Sequence, residues 1–450
     1  MLSRFPAKVV LVFIVAMLLL TLGFYRNQWG AAGKKYFYDW KTNNELMLVA
    51  RLVWSRQTNV FSEGALFGVG DSQWPLEAGA EQRQYEIYLN NGKFNTYATY
   101  NSAIGAQGVV FGLIDKLTSF DPGINLKLFH GISAVFSAIA LAALICWFLT
   151  EFGYLPALFV LGFALMSEWL TLYGASIFFQ LWSFYAPMLG ILFYLSKVNV
   201  ENEINYRSLA LVSVFTVIVK GLFSGFEFII VALAMMIVPT VYYFVLRKWR
   251  LKTIFAICGN IAVSALAGTM ICLTILSFQI SSVTGSWGKA ISYIIFTFGK
   301  RSFGDPANYS GFEAASLTSN FWSVLYRYVY EGRAINLGNL IQSNIPWIQD
   351  HLEIGYDKLF ILFAFVSLIF FIVSRRNKQS LLYHKTLSLL YATWFSVLAP
   401  LSWFVLFKAH AYIHAQLDYI VWQMPFTLFG FALCGMTINY LVSLLKFNSR

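Results

Sequence analysis

Long apolar runs, separated by short polar stretches, set the pattern of this chain. The runs fall at 9–25, 129–149, 155–172, 178–195, 209–223, 226–245, 254–278, 359–373, 387–407 and 419–445. A bilayer core takes about 20 apolar residues per helix, so the pattern predicts about ten transmembrane helices in an all-α polytopic membrane protein. The run at 209–223 is the shortest and carries Lys220 near its end. The first run is followed by FYRNQWGAAGKKYF, where AAG makes a poor cleavage site, so it reads as a retained signal anchor.

Basic residues orient the bundle. Arg4 and Lys8 precede the first run, and Lys197 and Arg207 flank the turn after the fourth. Arg247, Lys248, Arg250 and Lys252 lie between the sixth and seventh; Arg375, Arg376, Lys378 and Lys385 lie between the eighth and ninth; Lys446 and Arg450 close the chain. With ten spans all of these share one side, which the positive-inside rule makes the cytoplasm, with both termini inside. The chain then divides into a first transmembrane helix (1–25), a first exterior loop with an amphipathic helix (26–128), transmembrane helices two to seven (129–278), a second exterior loop (279–358) and helices eight to ten (359–450). Both large loops are rich in aromatics (YFYDW, YEIYLNN, YATY, VLYRYVY) and have helical periodicity, which a solvated spacer would lack. They should fold as short helices packed over the bundle.

Composition agrees. Of 450 residues, 58% are hydrophobic and 12% charged, against about a quarter charged in soluble domains; mean hydropathy is +0.63. The net charge of +11 comes largely from clusters at the ends of apolar runs, so it reports topology and not a nucleic-acid partner. Cys146, Cys258, Cys272 and Cys434 all lie in apolar runs with no CxxC spacing, as packing residues do.

Chemistry could sit in three places. After the first run, Leu46, Val49, Ala50 and Val53 repeat at helical spacing, predicting an amphipathic interfacial helix capped by Asn43 or Asn44. Glu45 would then sit in its first turn, either as a reactive acid or as a complement to the helix dipole. The second place is FKAHAYIHAQLDYIVWQ, where His410 and His414 are four apart and Lys408 precedes them. That pair could hold zinc, but no Glu follows the first His and no third ligand is evident; phosphate or sugar recognition and a bland interfacial role are the other readings. The third is ionisable residues in or near the membrane. Lys220 and Glu227 bracket the turn KGLFSGFEF and either pair with each other or line a cavity with Lys408. Glu168 reads as interfacial. In the second loop, Arg301 is a candidate phosphate clamp, since a guanidinium can bind bidentately, or else a surface charge. GKRSFG is too short for a Walker loop, and the chain has no other nucleotide-binding motif, which excludes an ATP-driven pump.

The segment NNELMLVAR, following the first span in a long exterior loop, resembles the acidic motif of the polyprenyl-phosphate-sugar-dependent glycosyltransferases of the GT-C superfamily. In that family the motif is Asp-Glu or Asp-Asp before a short amphipathic helix. Here Asn44 stands where the first acid would be, Glu45 matches the second, and Asp39 lies just upstream. The size and loop plan are similar to the bacterial serotype-converting O-antigen glucosyltransferases. The resemblance implies an inverting glycosyltransferase that moves a sugar, a hexose by expectation, from a polyprenyl-phosphate donor to a lipid-linked or surface glycan such as O-antigen or lipopolysaccharide. It further implies the bacterial inner membrane with a periplasmic active face, and Glu45 or Asp39 as base. Lys220, Glu227, Arg301, Lys408, His410 and His414 would bind donor phosphate or substrate. No metal ligand is assigned, and a divalent cation stays open, as some GT-C relatives use one. The expected partners are the donor, the glycan acceptor and membrane lipids. An O-antigen polymerase or ligase would place its main loop later in the chain. A polysaccharide or lipid transporter would show internal repeats, and none is found.

Overall fold

The computed structural model describes residues 6–72, 76–340, 352–374 and 380–448; Arg4, Arg375, Arg376, Lys378 and Arg450 lie outside them. Over the described residues the chain is a helical bundle with two small antiparallel sheets. Eight helical segments are long and apolar enough to cross a membrane: Ala7–Arg26, Pro122–Phe152, Tyr206–Ser224, Ile229–Arg247, Leu251–Thr284, Tyr356–Ser374, Leu381–Leu406 and Tyr419–Ser443. The other two apolar runs form shorter helices, Tyr154–Met166 and Leu181–Ser196. At 13 and 16 residues they rise only about 20–24 Å.

The shortening has local causes. The run at 155–172 breaks at Ser167, whose extended backbone pairs with Ile335 and whose hydroxyl caps the next helix at Leu170 N (3.3 Å). Serine is a favoured N-cap, and Glu168 in the first turn of Glu168–Gly174 suits the helix dipole. Before Leu181, the Ser176 hydroxyl accepts from Phe179 N (3.0 Å), holding a turn at the same end of the bundle. Helices within the bundle approach closely where side chains are small. A Cβ on Gly435 would lie 2.7 Å from Pro156 Cα, and one on Gly221 2.3 Å from Cys272 Sγ, as expected where packing rather than water drives helix association.

The first loop differs most from expectation. The helix begins at Lys34 and runs to Gln57, so Asn43 and Asn44 are mid-helix and not caps. Asn44 spends its amide on Trp40 O one turn back (2.7 Å), which lets a poor helix former stay in the helix. The apolar face of this helix packs on protein. Leu48, Val49, Leu52 and Val53 are buried against Phe67, Tyr88, Phe111 and Phe129, each side chain contributing roughly 1.5–3 kcal/mol when fully buried. It is the central helix of a folded layer that includes Ala80–Leu89, Ala106–Leu117 and the sheet of β1 (Phe67–Gly70) with β2 (Tyr97–Tyr100). The strands were not predicted; their register needs Gly68, where a Cβ would meet Ala98 O at 2.3 Å. The second loop forms Trp287–Arg301, further short helices, and the sheet of β3 (Arg333–Asn336) with β4 (Glu353–Gly355).

Candidate functional site

Five connections on this loop-bearing side meet around one cavity of ≈160 Å³. The first loop contributes Asn43, Asn44, Tyr100 and Gln107, and the stretch before Leu181 contributes Phe178 and Phe179. The turn after Ser224 adds Glu227 and Phe228; Arg301 comes from the second loop; His410, His414 and Asp418 come from the segment before the last span.

The turn at 225–228 is clamped from inside. Lys220 is fully buried and its ammonium donates to Gly225 O (2.8 Å) and to Glu227 O. Its charge is thus spent on backbone carbonyls, not on the Glu227 carboxylate or the cavity. Phe228 takes a left-handed backbone (φ 50), and the Glu227 side chain is left pointing at the cavity. There its Oε1 lies 2.9 Å from His410 Nε2, and its Oε2 lies 3.9 Å from Arg301 Nη1. Arg301, the last residue of its helix, also donates to the Tyr100 hydroxyl (3.0 Å).

His410 sits on the short helix Lys408–Ile413, which breaks at His414 before Ala415–Asp418. The two imidazoles still meet, with centroids 4.6 Å apart, and Trp403 stands edge-on to His410. The segment is tied down by Tyr328 OH donating to Ala411 O (3.0 Å) and Tyr173 OH to Leu417 O (2.9 Å). Trp403 Nε1 donates to Asp418 Oδ2 (2.9 Å).

Two carboxyls are driven apart. Burial pushes Glu227 up, but His410, Arg301 and His414 outweigh it and hold the carboxylate well below its usual range. Burial and the Glu227 charge push Asp418 well above its usual range. Burial lowers His410, against the pull of Glu227, and burial together with His410 lowers His414 to about 3. The site thus offers a carboxylate held on an imidazole, a second carboxyl that burial makes harder to ionise, and a guanidinium beside Glu227. Divergent neighbours of this kind are what acid–base chemistry needs.

Glu227, His410 and Asp418 also place one ligand atom each within 4.8 Å of one another, so they could hold a cation. It would have to displace the proton from the Glu227–His410 hydrogen bond and sit beside the positive Arg301.

Of the residues singled out from sequence, Glu227, Arg301, His410 and His414 come together at the cavity. Lys408 does not line it; its ammonium donates to Leu317 O (3.2 Å). Asp39 is exposed on the helix Lys34–Gln57 and away from the lining. Glu45 is fully buried behind the cavity wall. Its oxygens take His130 Nε2 (2.7 Å), Tyr85 OH (3.0 Å) and Ile177 N (3.0 Å). Burial pushes Glu45 up, yet His130, Lys41 and the Ile177 N–H overcome this and hold it below the usual range. Asp418 was missed. Its signal was its spacing, four beyond His414 and eight beyond His410, which repeats one helical face.

No family model matches the chain, and no curated protein or solved structure matches it.

Proposed function

We propose that the chain is an inverting membrane glycosyltransferase. It moves a hexose from a polyprenyl-phosphate donor to a lipid-linked or surface glycan such as O-antigen. The observation that supports this reading best is the Glu227–His410 pair, 2.9 Å apart, with Arg301 beside it in a cavity among the loops. In this reading all ten apolar helices cross the bilayer, both termini face the cytoplasm, and the cavity opens on the periplasmic face of the bacterial inner membrane. The basic run Arg247, Lys248, Arg250 and Lys252, at the end of the bundle away from the cavity, supports that orientation.

The chemistry follows from the groups present. The acceptor hydroxyl attacks the anomeric carbon, the new C–O bond forms as the bond to the phosphate oxygen breaks, and the electron pair leaves with polyprenyl phosphate. The Glu227–His410 pair takes the hydroxyl proton, the carboxylate orienting the imidazole and stabilising its charged form. Arg301 offsets the charge gathering on the phosphate. The base is thereby assigned to this pair, and Glu45 becomes a residue that positions the wall behind it.

Purified protein in lipid vesicles, given radiolabelled polyprenyl-phosphate hexose and a lipid-linked glycan, should move label to the glycan. Label that stays on the donor, with glycan export in cells dependent on the protein, would replace this reading with a transporter. Label that moves only from a diphosphate-linked glycan would replace it with a polymerase or ligase.

A further inference from the structure

The wall facing Glu227 and Arg301 has a different character. It is built by the helix Lys34–Gln57 and the start of Ala106–Leu117, and it carries amides and aromatic faces but no charge at the cavity. Gln107 stands out. It is 3% exposed, lines the cavity, and gives its amide nitrogen to Phe178 O (2.9 Å), while its Oε1 has no partner among the described residues. A buried carbonyl acceptor without a donor is costly, so such groups are normally paired. Its position is fixed: Gly105 (φ 74) caps the helix, and a Cβ on Gly108 would lie 2.9 Å from Phe67, so the first turn sits tightly on that ring.

Asn43 and Asn44 continue the same wall. Both line the cavity; Asn44 has its nitrogen on Trp40 O, and Asn43 has no side-chain hydrogen bond among the described residues. Phe67 and Phe178, tilted together at 5.2 Å, add an apolar face beside these amides. A ligand that suits this wall carries several hydroxyl donors on one edge and an apolar C–H face on another. A pyranose ring does both, whereas a phosphate offers only acceptors and suits the Arg301 side.

We propose that Gln107, with Asn43 and Asn44, forms the subsite that holds the sugar ring of the donor and selects among hexoses, the amides of this wall accepting from ring hydroxyls. This rests on the glycosyl-transfer reading and names the residues that set its specificity. The hydroxyls bind as neutral donors, with no covalent step at this wall.

Binding tests it without turnover. Full-length protein in nanodiscs is titrated with bare polyprenyl phosphate and with polyprenyl-phosphate glucose, mannose and galactose, for wild type, Gln107→Met and Asn43→Ala. One hexose lipid should bind wild type about tenfold tighter than the bare lipid, the scale of a buried hydrogen bond. Gln107→Met should erase most of that advantage and Asn43→Ala part of it, with bare-lipid affinity unchanged. Asn43 is exposed and makes no other bond, so its variant should fold even if Gln107→Met does not. Retention of the full advantage in both variants, or equal binding of all four lipids by wild type, overturns the subsite and leaves the phosphate side standing. Failure of wild type to bind any of the four overturns the glycosyl-transfer reading itself.

Discussion

Glu45 can be either a base or a fastener, and the two roles differ in what breaks. The structure ties its carboxylate to His130 on the span Pro122–Phe152, to Tyr85 on Ala80–Leu89 and to the Ile177 amide beside the cavity wall. Glu45→Gln keeps an oxygen for one or two of these donors but removes the charge that faces His130. The same charge faces the buried Lys41, and removing one partner from a buried charged network costs about 3–5 kcal/mol. For a chain of this size that is on the order of 2 °C per kcal/mol, so roughly 6–10 °C in melting temperature. Loss of a general base instead costs about 10²–10⁴ in rate with little change in stability. The assay is thermal unfolding of purified protein alongside transfer measured well below the variant's melting point. The expected outcome is a lowered melting temperature with most of the transfer rate per folded molecule retained. An unchanged melting temperature with transfer abolished would make Glu45 the base.

Other outcomes follow from the same geometry. Glu168 is 2% exposed with an unpartnered Oε2, and burial raises it from 4.5 to about 7, against the pull of Arg333. The folded state therefore holds this proton longer than the unfolded state, so stability falls as pH rises from about 4.5 to 7, by about 3 kcal/mol in all. Glu168→Gln should flatten that decline in melting scans, and an unchanged pH profile would contradict the assignment. Arg301→Lys keeps the charge but loses the fork, and should raise KM for the donor about 10- to 100-fold with a smaller change in kcat; kinetics indistinguishable from wild type would remove Arg301 from the phosphate. Transfer should survive EDTA, because a divalent ion would have to settle beside Arg301 and break the Glu227–His410 bond; loss of activity restored by added Mg²⁺ or Mn²⁺ would show that one does.

Much of this architecture was legible in the order of residues. Apolar runs long enough for a bilayer marked the helices, because lipid forces every backbone group to be satisfied within its own segment. The breaks inside runs were harder to read. Ser167 stops a helix only because β3 is present to pair with its backbone, a contact 168 residues away in sequence terms from Ile335. The helix Lys34–Gln57 was read too short because Asn43 and Asn44 are strong capping residues locally, and tertiary burial of Phe37 and Trp40 overrode that preference. In the site, His410 and His414 were visible by spacing, and Glu227 and Arg301 as charges near the membrane. Nothing local distinguished Glu45, a buried acid with three partners, from an exposed one, since those partners come from three separate segments. Lys220 was read as a partner of Glu227 or a cavity residue for the same reason; its acceptors are backbone carbonyls that no side-chain pattern announces.

Glu227 is tested most directly by transfer of labelled hexose from polyprenyl phosphate by wild type and Glu227→Gln, both inserted in lipid and matched for folded protein. Glu227→Gln should lose about 10²–10⁴ in rate while still binding the donor. Transfer by Glu227→Gln at the wild-type rate would contradict this.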